Sequence, residues 1–194
     1  MAVTLARHHG IWRKVDDCMD VLILTMAGLI AGSFIAAMTW RWPRGEQVSS
    51  GRSRCDHCGQ VLAARDLLPL ASFLWNRGKA RCCGRAIARR HLAIELAAAG
   101  IGAIAALTTT ALTAAALAAL LGWWLLALTI LDVEHFWLPD RLTLPLGLAG
   151  LLAGLWLAPA MASRLAGAAL GFLLLAVIAA WYRHRHGHQG IGGG

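Results

Sequence analysis

Runs of residues without charge, long enough to cross a bilayer, dominate the chain. Short stretches that collect charge and helix breakers separate them. Val21 to Trp40 is the first run, 20 residues without a charge. As a helix it measures about 30 Å, enough to span the hydrocarbon core. Arg41-Trp42-Pro43 ends it with an interfacial anchor and a breaker. Leu96 to Leu131 is a second run, 36 residues without a charge. That is too long for one span and suits two helices joined by a tight turn, with Thr108-Thr109-Thr110 as the turn. The polar segment from Asp132 to Arg141 breaks the pattern. Leu142 to Met161 and Leu165 to Trp181 supply two more spans, separated near Pro159 and Arg164. The pattern predicts an all-α polytopic membrane protein with about five transmembrane helices. Its parts are an N-terminal segment (1–20), a first transmembrane helix (21–40), a polar loop (41–91), a membrane region of four helices (92–181) and a tail (182–194).

Composition agrees. Hydrophobic residues make up 58% and charged residues 14%, against about 25% charged in soluble domains. The charges are also segregated: 11 of the 18 Lys and Arg lie between Arg41 and Arg90, with only Glu46, Asp56 and Asp66 as acids there. A net charge of +8 would suit nucleic acid. A basic loop between membrane spans is instead what positive-inside topology requires, so the loop is placed in the cytoplasm and nucleic acid is not expected as a partner. Its basic residues are assigned to topology and to anionic membrane lipid. At the N-terminus, Arg7, Arg13 and Lys14 precede Asp16, Asp17 and Asp20 and then a full-length span, which is not the pattern of a cleavable signal.

With the loop inside, span 2 leads out and span 3 returns, so Asp132 to Arg141 is expected at the cytoplasmic face. Span 4 leads out and span 5 returns, which brings Arg183 and Arg185 back inside. The tail charges thus agree with the loop charges, a check on the odd number of spans.

The loop carries Cys55-Asp-His-Cys58 and, further on, the adjacent pair Cys82-Cys83. In a cytoplasmic loop, two cysteine pairs favour metal over disulfides. Zinc takes four tetrahedral ligands, usually thiolate or imidazole, which makes Cys55, Cys58, Cys82 and Cys83 the candidate set. Adjacent side chains diverge, so Cys82 and Cys83 can bind one ion only through an unusual turn; His57 and His91 are substitute ligands. The alternative is reduced, metal-free thiols. Cys18 is read as incidental.

Asp132 follows an apolar helix directly. A carboxylate partly withdrawn from water holds or shares a proton more readily, and acids beside spans are functional candidates. The alternative is an ordinary acidic residue ending a helix at the interface. Asp140 is expected to cap the helix starting near Leu142. Glu134 and His135 are read as solvated loop residues, and Glu95 as a first-turn acid favoured by the helix dipole.

Taken in order, these pieces resemble the bacterial prepilin peptidases, or type IV leader peptidases, including those serving type II secretion. Gly32-Ser33-Phe34 followed after six residues by Arg41-Trp42-Pro43 is similar to the family's first-span signature. Cys55-x-x-Cys58 is similar to the first half of its four-cysteine motif. Leu68-Pro69-Leu70-Ala71-Ser72-Phe73, Arg77-Gly78, Cys83-Gly84 and Glu95-Leu96 continue the pattern. Leu131-Asp132 through Leu138-Pro139-Asp140 and Leu142-Thr143-Leu144-Pro145 resembles the segment bearing the first catalytic aspartate, which makes Asp132 that residue.

The resemblance implies an inner-membrane enzyme that cuts the basic leader from a prepilin or pseudopilin after a glycine, by an aspartic-type mechanism. It also implies methylation of the new N-terminus with S-adenosylmethionine. The chain departs from the pattern in three places. The leading cysteine of the second pair falls on Ala80, a common asparagine falls on Ala36, and the glycine run Gly190–Gly194 ends where the second catalytic aspartate would come next. The chain is accordingly expected to be a fragment rather than a naturally truncated, inactive form. The competing function is a non-catalytic membrane protein whose cysteine loop binds a metal or a partner.

Overall fold

The computed structural model describes residues 2–47, 54–55, 57–63, 71–153, 155 and 161–187, with side chains in the first helix from Cys18 onward. Asp56, Asp66, Leu68–Leu70, Pro159 and the run Gly190–Gly194 lie outside those residues. The described helices are α1 (Ala2–Arg41), α2 (Ala71–Trp75), α3 (Arg89–Thr108), α4 (Leu112–His135), α5 (Asp140–Ala153) and α6 (Met161–His186). A short 3-10 turn, Trp42–Arg44, follows α1, and no strand occurs among the described residues.

Hydrophobic runs set these elements more than helix signals do. The charge-free stretch begins at Val21, yet α1 is helical from Ala2, so the N-terminal segment and the first span share one helix. The breaker acts where expected: α1 stops at Arg41, and Gly45, at φ 74°, closes the 3-10 turn that contains Pro43. The long apolar run divides at the threonines. The helix α3 ends at Thr108 and α4 begins at Leu112, and Thr108 and Thr109 donate their hydroxyls to the carbonyls of Ile104 and Ala105 at 2.8 Å each. Among the described residues, four helical stretches are long and apolar enough to cross a membrane: Cys18–Arg44, Arg89–Thr108, Leu112–His135 and Met161–His186. The helix α5 is described over 14 residues and contains Pro145.

The chain divides into two compact units, Met1–His135 and Phe136–Gly194. In the first, α1 packs along α3 and α4 packs against both. The packed faces are made of small residues. Ala36, Ala98 and Ala119 are fully buried, whereas Ile30, Phe34, Leu117 and Ile104 point outward. Large apolar side chains facing out and alanine and glycine facing in is the arrangement lipid favours, because close backbone approach supplies the packing energy there. Gly28 and Gly32 sit one turn apart on α1, and a Cβ at Gly32 would lie 2.6 Å from the Cα of Glu95 on α3. Gly102 makes the reciprocal approach to the Leu24 carbonyl. Trp123 on α4 ties the third helix in, its Nε1 donating to the Ala98 carbonyl at 2.8 Å. In the second unit α5 packs on α6, with Arg164 Nη1 donating to the Gly150 carbonyl at 2.8 Å.

Candidate functional site

The loop between α1 and α3 builds its centre from two turns with the same backbone. In the first, the Cys55 amide donates to the Gln60 carbonyl and the Gly59 amide to the Cys55 carbonyl, both at 2.9 Å. In the second, the Ala80 amide donates to the Arg85 carbonyl and the Gly84 amide to the Ala80 carbonyl, both at 2.7 Å. Each turn is closed by a bridge, Arg54 to Val61 and Lys79 to Ala86. Each also reverses through a left-handed glycine, Gly59 at φ 72° and Gly84 at φ 69°, a conformation glycine adopts without steric cost. The second turn is therefore a structural repeat of the first, displaced by 25 residues along the chain. Cys83 matches Cys58, Ala80 matches Cys55, and Cys82 matches His57.

That correspondence supplies the unusual turn that two adjacent cysteines need to reach one point. Inside this turn both thiols face the first turn: Cys55 Sγ is 3.9 Å from Cys83 Sγ, and Cys58 Sγ is 3.4 Å from Cys82 Sγ. All four sulfurs lie within 4.8 Å of one another. Zinc bound tetrahedrally at about 2.3 Å from each thiolate sets its sulfurs about 3.8 Å apart. The donor set fits that metal, and two of the separations bracket the value. Neither substitute histidine belongs to this cluster. His57 Nε2 instead lies 3.2 Å from the Ala86 carbonyl oxygen, linking the first turn to the second. Cys18 is exposed on α1.

The thiols are electrostatically unequal. Burial pushes the Cys55 thiol up. The backbone amides of Cys58 and His57, with the thiols of Cys82 and Cys58, outweigh it and bring the group down from 9.0 to about 7. Hydrogen bonds to Cys58 and Cys55, together with burial, push Cys82 up to about 12. A metal binding here would require the thiols to release their protons.

The cysteine loop joins the helices at one end of the bundle. It leaves from Arg41, whose Nη2 donates to the Arg54 carbonyl at 3.3 Å, and re-enters α3 at Arg89, where the Ile87 amide has already closed on the Gly78 carbonyl at 2.8 Å. Because α4 runs antiparallel to α3, its C-terminal turn comes back to the same end. Asp132 lies in that turn and is exposed; Leu131 before it is fully buried. The sequence-predicted acid and the cysteines thus occupy the same end of one compact unit.

Three acids differ from their sequence-based roles. Glu134 is an ion-pair partner rather than a solvated loop residue. Arg90 Nε reaches its Oε1 at 2.6 Å and Arg90 Nη2 its Oε2 at 2.7 Å. Glu95 is buried, and it lies beyond the first turn because α3 starts at Arg89. Asp140 is the first residue of α5, not a cap for a helix at Leu142. There its charge is favoured by the helix dipole, and the Leu142 and Thr143 amides turn to the Pro139 carbonyl. Arg90 is the site residue that sequence reasoning missed. Its one signal was a cation abutting an apolar run, and its partner stands 44 residues away.

Residues 26–109 match the Bacterial Peptidase A24 N-terminal domain, and residues 119–194 match the Type IV leader peptidase family. The prepilin leader peptidase/N-methyltransferase of Dichelobacter nodosus is 38% identical over 143 residues, covering 73% of this chain and 50% of that protein. The protein of that name from Burkholderia pseudomallei (strain K96243) is 39% identical over 203 residues, 91% of this chain and 65% of the relative. The one from Dickeya chrysanthemi is 34% identical over 200 residues, 90% of this chain and 70% of the relative. The chain thus spans between half and about two thirds of the length of these relatives. No solved structure matches it.

Proposed function

We infer the activity from one premise: this chain belongs to the bacterial type IV leader peptidase family. On that premise it acts as a prepilin or pseudopilin leader peptidase of the inner membrane. It cuts the leader after a glycine, next to the hydrophobic helix of the substrate. The observation that supports this reading best is the place of Asp132. It is an exposed carboxylate in the last turn of a spanning helix, at the end of the bundle that carries the cysteine loop. A substrate whose own helix lies in the bilayer presents its scissile bond at that depth.

In an aspartic mechanism two carboxylates share a proton; one takes a proton from water while the other donates to the carbonyl oxygen. Asp132 is assigned as one of the two. The cysteine loop and Asp132 are placed on the cytoplasmic side, where the basic loop belongs. Cys55, Cys58, Cys82 and Cys83 would hold a zinc ion, which would cross-link the two turns. The names of the relatives pair the peptidase with an N-methyltransferase. We extend that to this chain as methylation of the freed amine with S-adenosylmethionine as donor.

The test is Asp132→Asn in the protein as its gene encodes it, expressed in bacterial membranes with a prepilin substrate. Leader removal, followed as the mobility shift of the substrate, should be abolished. Normal processing would overturn the peptidase reading and favour a non-catalytic membrane protein whose cysteine loop binds a metal or a partner.

A further inference from the structure

One ionic network in the first unit joins α1, α3 and α4 beside Asp132. The Arg90 guanidinium makes four hydrogen bonds. Its Nε and Nη2 grip the two oxygens of Glu134 on α4 at 2.6 and 2.7 Å. Nη2 also donates to Thr39 Oγ1 on α1 at 2.6 Å, and Nη1 donates to the Ala36 carbonyl at 2.9 Å. The Thr39 hydroxyl donates to the Ile35 carbonyl at 2.7 Å, and Thr39 is fully buried, as is Ala36. The Arg90 and Glu134 side chains are 17% and 32% exposed. The Trp40 ring lies 5.7 Å from the Arg90 guanidinium, and its other cationic neighbour, Arg44, lies 3.6 Å from the ring centroid. His135 Nε2 lies 3.8 Å from the second Glu134 oxygen.

An exposed ion pair contributes little, because both groups are well hydrated apart. This pair differs in kind. It is bidentate, so it fixes orientation as well as distance, and it sits on a surface whose remaining acceptors are main-chain and hydroxyl oxygens of a third helix. Its position in the sequence adds to this. Arg90 lies in the first turn of α3, three residues after Ile87 closes the cysteine loop. Glu134 lies in the last turn of α4, two residues after Asp132. Asp132 is therefore held between two fixed points, the fully buried Leu131 and the clamped Glu134.

We propose that Arg90 and Glu134 form a positioning pair that fixes the last turn of α4, and so the carboxylate of Asp132, against α1 and the exit of the cysteine loop. The proposal rests on the reading of Asp132 as a catalytic carboxylate. Neither member of the pair touches the substrate; both act through Asp132.

Glu134→Gln keeps the shape and removes the charge. Arg90→Lys keeps the charge and removes the planar fork, a change that bidentate sites do not tolerate. Each variant is made in the full-length protein, purified in detergent, and assayed on a prepilin beside Asp132→Asn. Small displacements of a reacting group cost about 10- to 100-fold in rate, so kcat should fall within that range while KM and bound zinc stay unchanged. The double variant should lose no more than the worse single one, since both remove the same contact. A structural role alone would lower protein yield or zinc content and leave kcat per folded enzyme intact. The pair has no positioning role if both variants keep kcat within about twofold of the parent while Asp132→Asn is inactive. Normal processing by Asp132→Asn would instead sink the assignment of Asp132. If Arg90→Lys does not fold, the isosteric Glu134→Gln carries the test alone.

Discussion

The two turns of the cysteine centre share a backbone and differ in where they carry their sulfurs. The first has Cys55 and Cys58 at its start and end. The second has Ala80 at the equivalent start, Cys83 at the end, and Cys82 at the apex, where the first has His57. The missing thiol has thus been supplied from another position in the same turn. The comparison separates two requirements usually merged in a spacing motif. The backbone needs a left-handed glycine and two closing hydrogen bonds, and both turns have these. The metal needs four sulfurs near one point, and the apex of the turn reaches that point as well as its start does.

The comparison breaks most severely at Cys55. It is the buried cysteine, 8% exposed, and its thiol is brought down to about 7, chiefly against burial by the amides of Cys58 and His57. Water cannot readily take its place. Cys55→Ser should lower zinc affinity at least about 100-fold, beyond the 10- to 100-fold typical of losing a supporting group behind a ligand. Competition with a chromogenic chelator measures this on the full-length protein. Zinc content equal to the parent would show that the four sulfurs are not the ligand set.

Cys82 sharpens the comparison. It is half-buried rather than buried, so its vacated position can admit water as a fourth ligand. Cys82→Ser should cost less, about 10- to 100-fold in zinc affinity. The decisive variant adds Ala80→Cys to Cys82→Ser, which gives the second turn the first turn's spacing. If the backbones are truly equivalent, zinc binding should return to within about tenfold of the parent. Failure to rescue would mean that the second turn holds its apex sulfur in a way the first does not.

How much of this could be read from sequence depends on the range of the interaction. The span from Val21, its stop at Pro43 and the turn at Thr109 follow from local hydrophobicity and breakers, and the helices obey them. Boundaries went astray where charge was taken to end a helix. Arg89 and Arg90 are charged but helical, so α3 begins earlier than its apolar run, and Glu95 falls inside it. Glu134 looked like a solvated residue because its partner is distant in sequence and near only after α3 and α4 fold back. The close approach of Gly28, Gly32 and Gly102 to backbone exists only once the helices pair. The four cysteines proposed as one set lie together. The turn that brings them together was not legible, because the geometry expected of neighbouring side chains assumes no left-handed residue beside them.

The mildest test concerns the two glycines themselves. Gly59 and Gly84 have nearly equal positive φ, and a Cβ at either would meet nothing within 4 Å. Substitution by alanine therefore adds no clash with neighbours and costs only the left-handed backbone penalty, about 1 kcal/mol. If the turn must hold that conformation to bind metal, Gly59→Ala and Gly84→Ala should each weaken zinc binding by about fivefold, the same free energy expressed as a ratio. The informative quantity is the equality of the two losses. Similar losses mean that both turns depend on the same left-handed corner and that their sulfurs alone distinguish them. A large loss at Gly84 with none at Gly59 would mean that placing two adjacent thiols demands a corner which the ordinary spacing of the first turn can do without.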